Sequence, residues 1–490
     1  MTTHQILTGP GNENSARDPV PAGARHPVRV VLVVAFSALV TTLNQTLVVP
    51  VLPGLPARLQ VTPSVAAWLV TATIIAGAVA HPVLGRLGDQ FGMRRMMVVA
   101  LCAMVLGSLL CMVSDDIAVL IAGRTLQGLS SATIPLGMSL VGVVLEPGRR
   151  AAAIATVSAM MGVGGALGLP AAGLISRFWG FHGLFAVSAS AGVVAMTALL
   201  LAVPAPPLRE RARRVDLPGA ALLTCSTVGL LIGLDRGGEW GWTNALTLTC
   251  FLTALLAGGL LTLVELRRHD PLIDLRAALS RSAAAVNAGS VLIGFALFSN
   301  FLGIVGRLQA PAATGYGYGL SVLATGLCLV PGGLLAAMVA PLSARLSVAA
   351  GPRVTIVLGC IVSAAGFAAQ IPLGHGALGV LICVAAVISA GNAMVMAALP
   401  ALILRVTPEA NIGVANGLNA LARAVGMSVS SAVFGIIMTV PDGAAFVPRG
   451  TFDAFTAAGG IATLIALLLF LPRFLPRFLS KRFRRGATGG

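Results

Sequence analysis

Acidic residues are scarce in this chain of 490 residues: 16 Asp and Glu stand against 32 Lys and Arg. None of the acids falls inside a long apolar run; all lie near the start, in loops or at the ends of apolar windows. Charged residues make up only 10% and aromatic residues 5%, with two tyrosines and four tryptophans. Such a composition, with 57% hydrophobic residues and a mean hydropathy of +0.94, excludes an ordinary soluble domain. Seven cysteines (Cys102, Cys111, Cys225, Cys250, Cys328, Cys360 and Cys383) show no CxxC spacing and no neighbouring His or Asp cluster. They imply neither a disulfide framework nor a metal site, and no cofactor is expected. HExxH, GxSxG and paired intramembrane carboxylates are all missing, so an enzyme is not expected. Residues 1–28 have no apolar core of the signal-peptide kind and read as a disordered tail, the first membrane helix acting as the targeting signal.

What the chain has instead is long apolar runs. Fourteen windows of bilayer-spanning length, bounded by Arg, Pro, Gly and Asp, lie between residues 29 and 475. The formal charge of +16 sits in short basic blocks between these runs, the layout of cytoplasmic membrane loops rather than of a nucleic-acid binder. Assigning the ends and alternate loops to one side puts 25 Lys and Arg residues there, against Arg58, Arg177, Arg236, Arg307 and Arg449 on the other. The positive-inside rule then places both termini in the cytoplasm of a multi-pass protein of the cell membrane.

A repeat runs through the chain. Pro82, Arg86, Leu87, Gly92 and Arg94 recur as Pro341, Arg345, Leu346, Gly351 and Arg353, each shifted by 259 residues, and Pro147 and Gly165 recur as Pro408 and Gly426 at a shift of 261. The partner loop lies eight helices later, as two six-helix halves separated by two inserted helices require. The expected fold is all-α and integral to the membrane, with about 14 transmembrane helices. Its parts are a tail (1–28), an N-terminal six-helix bundle (29–203), a linker (204–216), two inserted helices (217–266), a linker (267–282), a C-terminal six-helix bundle (283–475) and a basic tail (476–490).

The loop Gly85-Arg86-Leu87-Gly88-Asp89-Gln90-Phe91-Gly92-Met93-Arg94-Arg95 resembles the signature loop after the second helix of the major facilitator superfamily. Further stretches resemble its fourteen-helix drug:proton antiporter family. Leu43-Asn44-Gln45-Thr46-Leu47-Val48-Val49-Pro50-Val51-Leu52-Pro53 is similar to the first-helix motif and Arg124-Thr125-Leu126-Gln127-Gly128 to the fourth-helix motif. Gly164-Gly165-Ala166-Leu167-Gly168-Leu169-Pro170-Ala171-Ala172-Gly173 is similar to the fifth-helix antiporter motif, with Leu169 set between a glycine and a proline that usually adjoin. The resemblance implies a secondary transporter that exports a small amphiphilic molecule by alternating access, coupled to H+ and acting as a monomer in the lipid bilayer. A facilitator or importer of a neutral or anionic molecule is the alternative; a non-transporting receptor would leave the Asp89 loop without a purpose.

Within this frame Asp89 is expected to accept hydrogen bonds from a neighbouring helix N-terminus and to pair with Arg94 or Arg95, gating the path together with Gly85 and Gly92. The bland alternative for the arginines is the positive-inside rule alone. Arg124 lies roughly 10 Å deep and must face a cavity or a partner, with Asn44, Gln45 and Gln127 the expected company, unless it snorkels to the interface. Arg423, near Asn416 and Asn419, is a second intramembrane arginine and a candidate cavity residue. Gly164, Gly165, Gly168, Pro170 and Gly173 are expected to form a packing seam between the halves, facing Gly326, Pro331, Gly332 and Gly333. His81, near the inner end of the second helix, reads as an interfacial packing residue rather than a proton relay.

One part of the family pattern is broken. The first-helix motif commonly bears an aspartate where Asn44 stands, and asparagine cannot titrate. Proton coupling then falls to Asp115, Asp116, Asp235 or Glu239 near the outer face, or to a proton carried by the substrate. Arginines without carboxylates favour neutral or anionic amphiphiles over lipophilic cations.

Overall fold

A computed structural model describes residues 27–48, 51, 55–203, 216–267, 280–374, 376–407, 411–437 and 447–471. Most of the expected tails and linkers therefore lie outside the described residues. The long helices, in chain order, are α1 (Pro27–Thr46), α2 (Pro63–Phe91), α3 (Met93–Val113), α4 (Ile117–Val144), α5 (147–179), α6 (181–202) and α7 (Leu217–Trp240). They continue with α8 (Ala245–Arg267), α9 (Arg281–Gln309), α10 (Val322–Ala349), α11 (Pro352–Leu373), α12 (Leu378–Val406), α13 (Ile412–Ile437) and α14 (Arg449–Phe470).

Among the described residues, thirteen segments are long and apolar enough to cross a membrane. The fourteenth crossing comes from the 56-residue run Pro147–Ala202, which is broken at Gly180, where φ is 67° and ψ is −167°. An L side chain rarely adopts that backbone, so glycine sets the corner between α5 and α6. At 1.5 Å per residue the two pieces measure roughly 50 Å and roughly 33 Å, each enough to span a bilayer.

Helix ends are written locally. Thr62 accepts from the Val65 amide before α2, Asp116 from Ala118 and Val119 before α4, Asp216 from Gly219 before α7, and Ser321 from Ala324 before α10. The repeat has a backbone counterpart. A shift of 259 carries Pro63 and Met93, which open α2 and α3, onto Val322 and Pro352, which open α10 and α11. Between each pair the chain turns on a glycine in the same conformation, Gly92 at φ 97° and Gly351 at φ 99°.

The first six helices pack as one bundle and α9–α14 as a second, joined by α2 against α13 and by α5 against α10. The inserted α7 lies along both α2 and α13, and α8 packs on α7 while exposing Leu248, Leu252, Leu255 and Leu263. Since lipid is as apolar as leucine, what holds such helices together is close packing rather than transfer from water. The two joints differ in make-up. The α5–α10 joint is lined by Ala155, Ala159, Ala337, Ala340 and Ala344, with Ala397 of α12. The α2–α13 joint mixes Ile75, Ala78, Val414 and Leu421 with Leu223 and Leu231 of α7.

Candidate functional site

One end of the molecule, carrying Arg86, Arg94, Arg95, Arg149, Arg345 and Arg405, is the arginine-rich end. There the bundles are latched. Asp89, in the last turn of α2, accepts hydrogen bonds from the backbone amides of Gly413 and Val414 at the start of α13, both at 2.8 Å. A carboxylate on two free amides of a helix N-terminus gains from charge-assisted bonding and from the helix dipole together. Backbones meet beside it: a Cβ on Gly85 would lie 2.5 Å from the Gly413 carbonyl oxygen, and one on Gly417 would collide with the His81 carbonyl. Asn416 Nδ2 donates across the same joint to Ser139 Oγ of α4 at 2.8 Å. The arginines expected to pair with Asp89 are turned elsewhere: Arg94 donates to the Leu200 carbonyl of α6 at 2.7 Å, and Arg95 is exposed. Gly92 has open space around it and serves the turn, not the joint.

Arg124 is fully buried and ties the N-terminal bundle together. Its Nε donates to the Leu69 carbonyl of α2 at 2.9 Å, and its Nη1 to Gln127 Oε1 at 2.7 Å and to the Asn44 carbonyl of α1 at 3.4 Å. Gln127 Nε2 in turn donates to Ser108 Oγ of α3 at 2.7 Å. The expected partnership with Asn44 is thus made by backbone rather than side chain, and Gln45 makes no hydrogen bond to Arg124 among the described residues. Arg423 stands in the other bundle, its Nη1 at 3.5 Å from Asn419 Oδ1, while Asn419 Nδ2 donates to Ser290 Oγ of α9 at 2.6 Å. Among the described residues no carboxylate is in ion-pair contact with Arg124 or Arg423.

The fifth-helix glycines do not share one task. Gly164 and Gly168 face α1, where a Cβ would meet the Leu39 carbonyl at 2.7 Å and the Thr46 side chain. Gly162 and Gly173 face α10, at Ala336 and Leu323. The expected seam between halves therefore runs through 162 and 173, while 164 and 168 pack within their own bundle. Helical geometry explains the split, since residues two apart point to nearly opposite sides of a helix and residues eleven apart return to the same side. Gly165 is loosely packed, with Thr42 Cγ2 at 3.8 Å from a would-be Cβ, and Pro170 lies inside the helix without breaking it. Gly332 faces Ser389 of α12 rather than α5.

Two polar clusters escaped the sequence. Arg307, assigned there to an outer loop, is 1% exposed at the end of α9, and its Nη2 donates to Asp453 of α14 at 2.8 Å, with Phe452 ring-stacked beside it. Asp453 is 146 residues away in sequence, so nothing local marks the pair. Near the same end of α7, Thr71 Oγ1 of α2 donates to Asp235 Oδ2 at 2.6 Å, Arg236 lies over Trp68 at 4.6 Å, and Arg236 Nη1 donates to Glu239 at 2.6 Å. Asp115 pairs with Arg58 at 3.2 Å, and Asp116 caps α4.

Two pseudo-equivalent helical bundles, latched across one end and holding arginines within the membrane layer, define a secondary transporter. The chain belongs to the Major Facilitator Superfamily, whose family model matches residues 34–431, and is a transporter rather than an enzyme. It is 28% identical to the tetracenomycin C resistance and export protein of Streptomyces glaucescens, over 85% of this chain and 79% of the relative. It is 29% identical to a puromycin resistance protein of Streptomyces alboniger, over 87% and 85%. The human organic anion transporter MFSD10 has the same fold, with a TM-score of 0.64 and 19% identity over 91% of this chain and 99% of that one.

Proposed function

We propose that this transporter exports a small neutral or anionic amphiphile, such as an antibiotic or secondary metabolite, by alternating access coupled to H+. On this reading it works as a monomer in the cell membrane, with the arginine-rich end and both termini in the cytoplasm. The observation that carries the reading is the Asp89 carboxylate on the Gly413 and Val414 amides. It spans the two bundles, so it must break whenever the arginine-rich end opens, and it holds that end closed while the opposite end serves the outside. The resistance and export names of the two bacterial relatives support the direction. Arg124 and Arg423, with no carboxylate in ion-pair contact among the described residues, support the substrate class, since positive charge within the membrane layer disfavours lipophilic cations. Asn44 in place of a first-helix acid favours, as the second reading, a facilitator or importer without classical proton antiport.

The test is efflux from proteoliposomes under an imposed pH gradient, with tetracenomycin C as an uncharged probe and ethidium as a permanent cation. The reading expects gradient-driven movement of the uncharged probe and little of ethidium. Equal export of both removes the substrate class, and movement of the uncharged probe that ignores the gradient favours the facilitator.

A further inference from the structure

We propose that His81 is the proton-carrying residue of this transporter, a protonated imidazole placing a second positive charge within reach of Arg423 at the α2–α13 joint and driving that joint apart. The proposal rests on the export reading only for its place in the transport cycle.

Geometry singles out this histidine. It lies ten residues before the end of α2, where Gly417 of α13 meets it, and Arg423 lies six residues, roughly 9 Å, farther along α13, its guanidinium reaching back one turn to Asn419. The His81 carbonyl abuts Gly417 of α13, its ring lies beside the Ser131 backbone, and its Nδ1 is buried with no hydrogen-bond partner among the described residues. Ser131 belongs to the 3-10 turn Ser130–Ala132 that interrupts α4, the kind of irregularity that marks a hinge. Arg423 is within electrostatic reach of the imidazole, and its one hydrogen bond among the described residues is the long one to Asn419.

No other group nearby can take the role. From α4 the neighbour is Ser131; from α7 the residues at this joint are apolar (Leu223, Val228, Leu231), its charged residues Asp216, Asp235, Arg236 and Glu239 lying toward its two ends. The charges of α3, Arg94 and Arg95, sit in its first turn, and Arg86 and Asp89 of α2 lie farther toward the arginine-rich end. Among these groups only the imidazole, once the parted joint lets water reach it, changes charge between pH 5 and 8.

Chemically the step is one proton passing from water to Nδ1 and back. With the joint closed the imidazolium is shut away from water and repelled by Arg423; with the joint parted both penalties are relieved. The open form therefore holds the extra proton, and falling pH favours it. This supplies a titrating group where the first helix has Asn44.

The experiment measures the distance between spin labels at Arg95→Cys and Arg405→Cys, both exposed at the arginine-rich end in opposite bundles. It uses the full chain in lipid nanodiscs from pH 8 to pH 5, with Cys102, Cys225, Cys250, Cys328 and Cys383 replaced by alanine. The parent is expected to gain long distances as pH falls, the open-to-closed ratio rising by at most about tenfold per pH unit, the limit for one proton. His81→Gln should remove the pH response, and Arg423→Gln, which leaves the histidine in place, should reduce it several-fold. Asp89→Asn should lengthen the distance at every pH, showing that the labels report the joint. A parent that does not respond to pH overturns the proposal, as does a response of parental size in either the His81→Gln or the Arg423→Gln chain. None of these outcomes depends on a substrate, whereas the export reading fails separately, by absence of efflux.

Discussion

Replacing Asp89 by asparagine removes one charge and almost no volume, which makes it the sharpest probe of the latch. The carboxylate accepts from two amides at 2.8 Å, one on each oxygen. Asparagine keeps one acceptor and turns an NH2 group toward the other amide, so one charge-assisted bond, worth about 1.5–3 kcal/mol, is lost. The attraction of the anion for the α13 N-terminus, about 0.3–1 kcal/mol, goes with it. The site is only part-buried, which argues for the lower half of the sum, about 2–3 kcal/mol. At 1.4 kcal/mol per factor of ten, the closed-to-open ratio should fall roughly 30- to 150-fold. Spin-label distances across the arginine-rich end read that ratio directly, and efflux in proteoliposomes reads its consequence, a carrier that no longer rests closed on that side. If the asparagine chain keeps a ratio within about threefold of the parent, the latch is incidental and the gating argument fails.

Arg124→Lys keeps the charge but cannot reach Leu69, Asn44 and Gln127 at once, so thermal unfolding in detergent should show a loss of about 2–4 kcal/mol; an unchanged midpoint would contradict the bracing role. Arg307→Ala takes from Asp453 its Arg307 hydrogen bond and should cost about 2–4 kcal/mol, set below the usual figure for buried pairs because Asp453 keeps 25% of its side-chain surface exposed. The double change with Asp453→Ala should recover much of that loss, and a strictly additive double variant would show that the two do not act as a pair. Gly417→Ala drives a methyl group into the His81 carbonyl and should hold the α2–α13 joint apart, seen as longer label distances. Gly165→Ala, with its nearest neighbour at 3.8 Å, should change stability by less than about 0.5 kcal/mol in the same detergent melt.

The helix count was legible because it is a property of runs, spanning length between basic loops. The repeat could even be read to the residue, since Gly92 and Gly351 hold the same turn. Asp89 was legible as an acid that needs a helix N-terminus, but its partner at α13, more than 320 residues away, was not. Arg94 was misread because a basic residue beside an acid in sequence suggests a pair, whereas the end of α2 aims Asp89 at the other bundle and leaves Arg94 to Leu200. The glycine motif was legible as close packing, yet which neighbour each glycine meets depends on rotation about the helix axis, and a run of glycines carries no mark of that angle. Arg307 was hidden by its own helix end, since a basic residue there reads as loop until a partner from α14 encloses it.

The two joints are related by the repeat but are chemically unlike, and that difference bears on how the bundles move. At the α2–α13 joint the contact is specific: a carboxylate on two amides and glycines that admit no side chain, with Asn416 of α13 donating to Ser139 of α4 beside it. At the α5–α10 joint the facing residues are mostly alanine, and Val348, the counterpart of Asp89, is exposed and cannot accept a hydrogen bond. Specific contacts are made or broken as a unit, whereas a smooth alanine face keeps similar dispersion energy through small rotations. On the export reading proposed above, alternating access would be a rocking motion in which the alanine joint serves as the pivot and the polar joint as the part that opens. Such an opening would expose the parted faces of α2 and α13 to lipid from the side. The inserted α7 lies along both helices there, with Leu223 and Leu231 buried against them and α8 bearing leucines outward. A helix so placed can follow one bundle while still covering the gap, a task that gives the extra pair a physical reason within a fold already complete with two bundles.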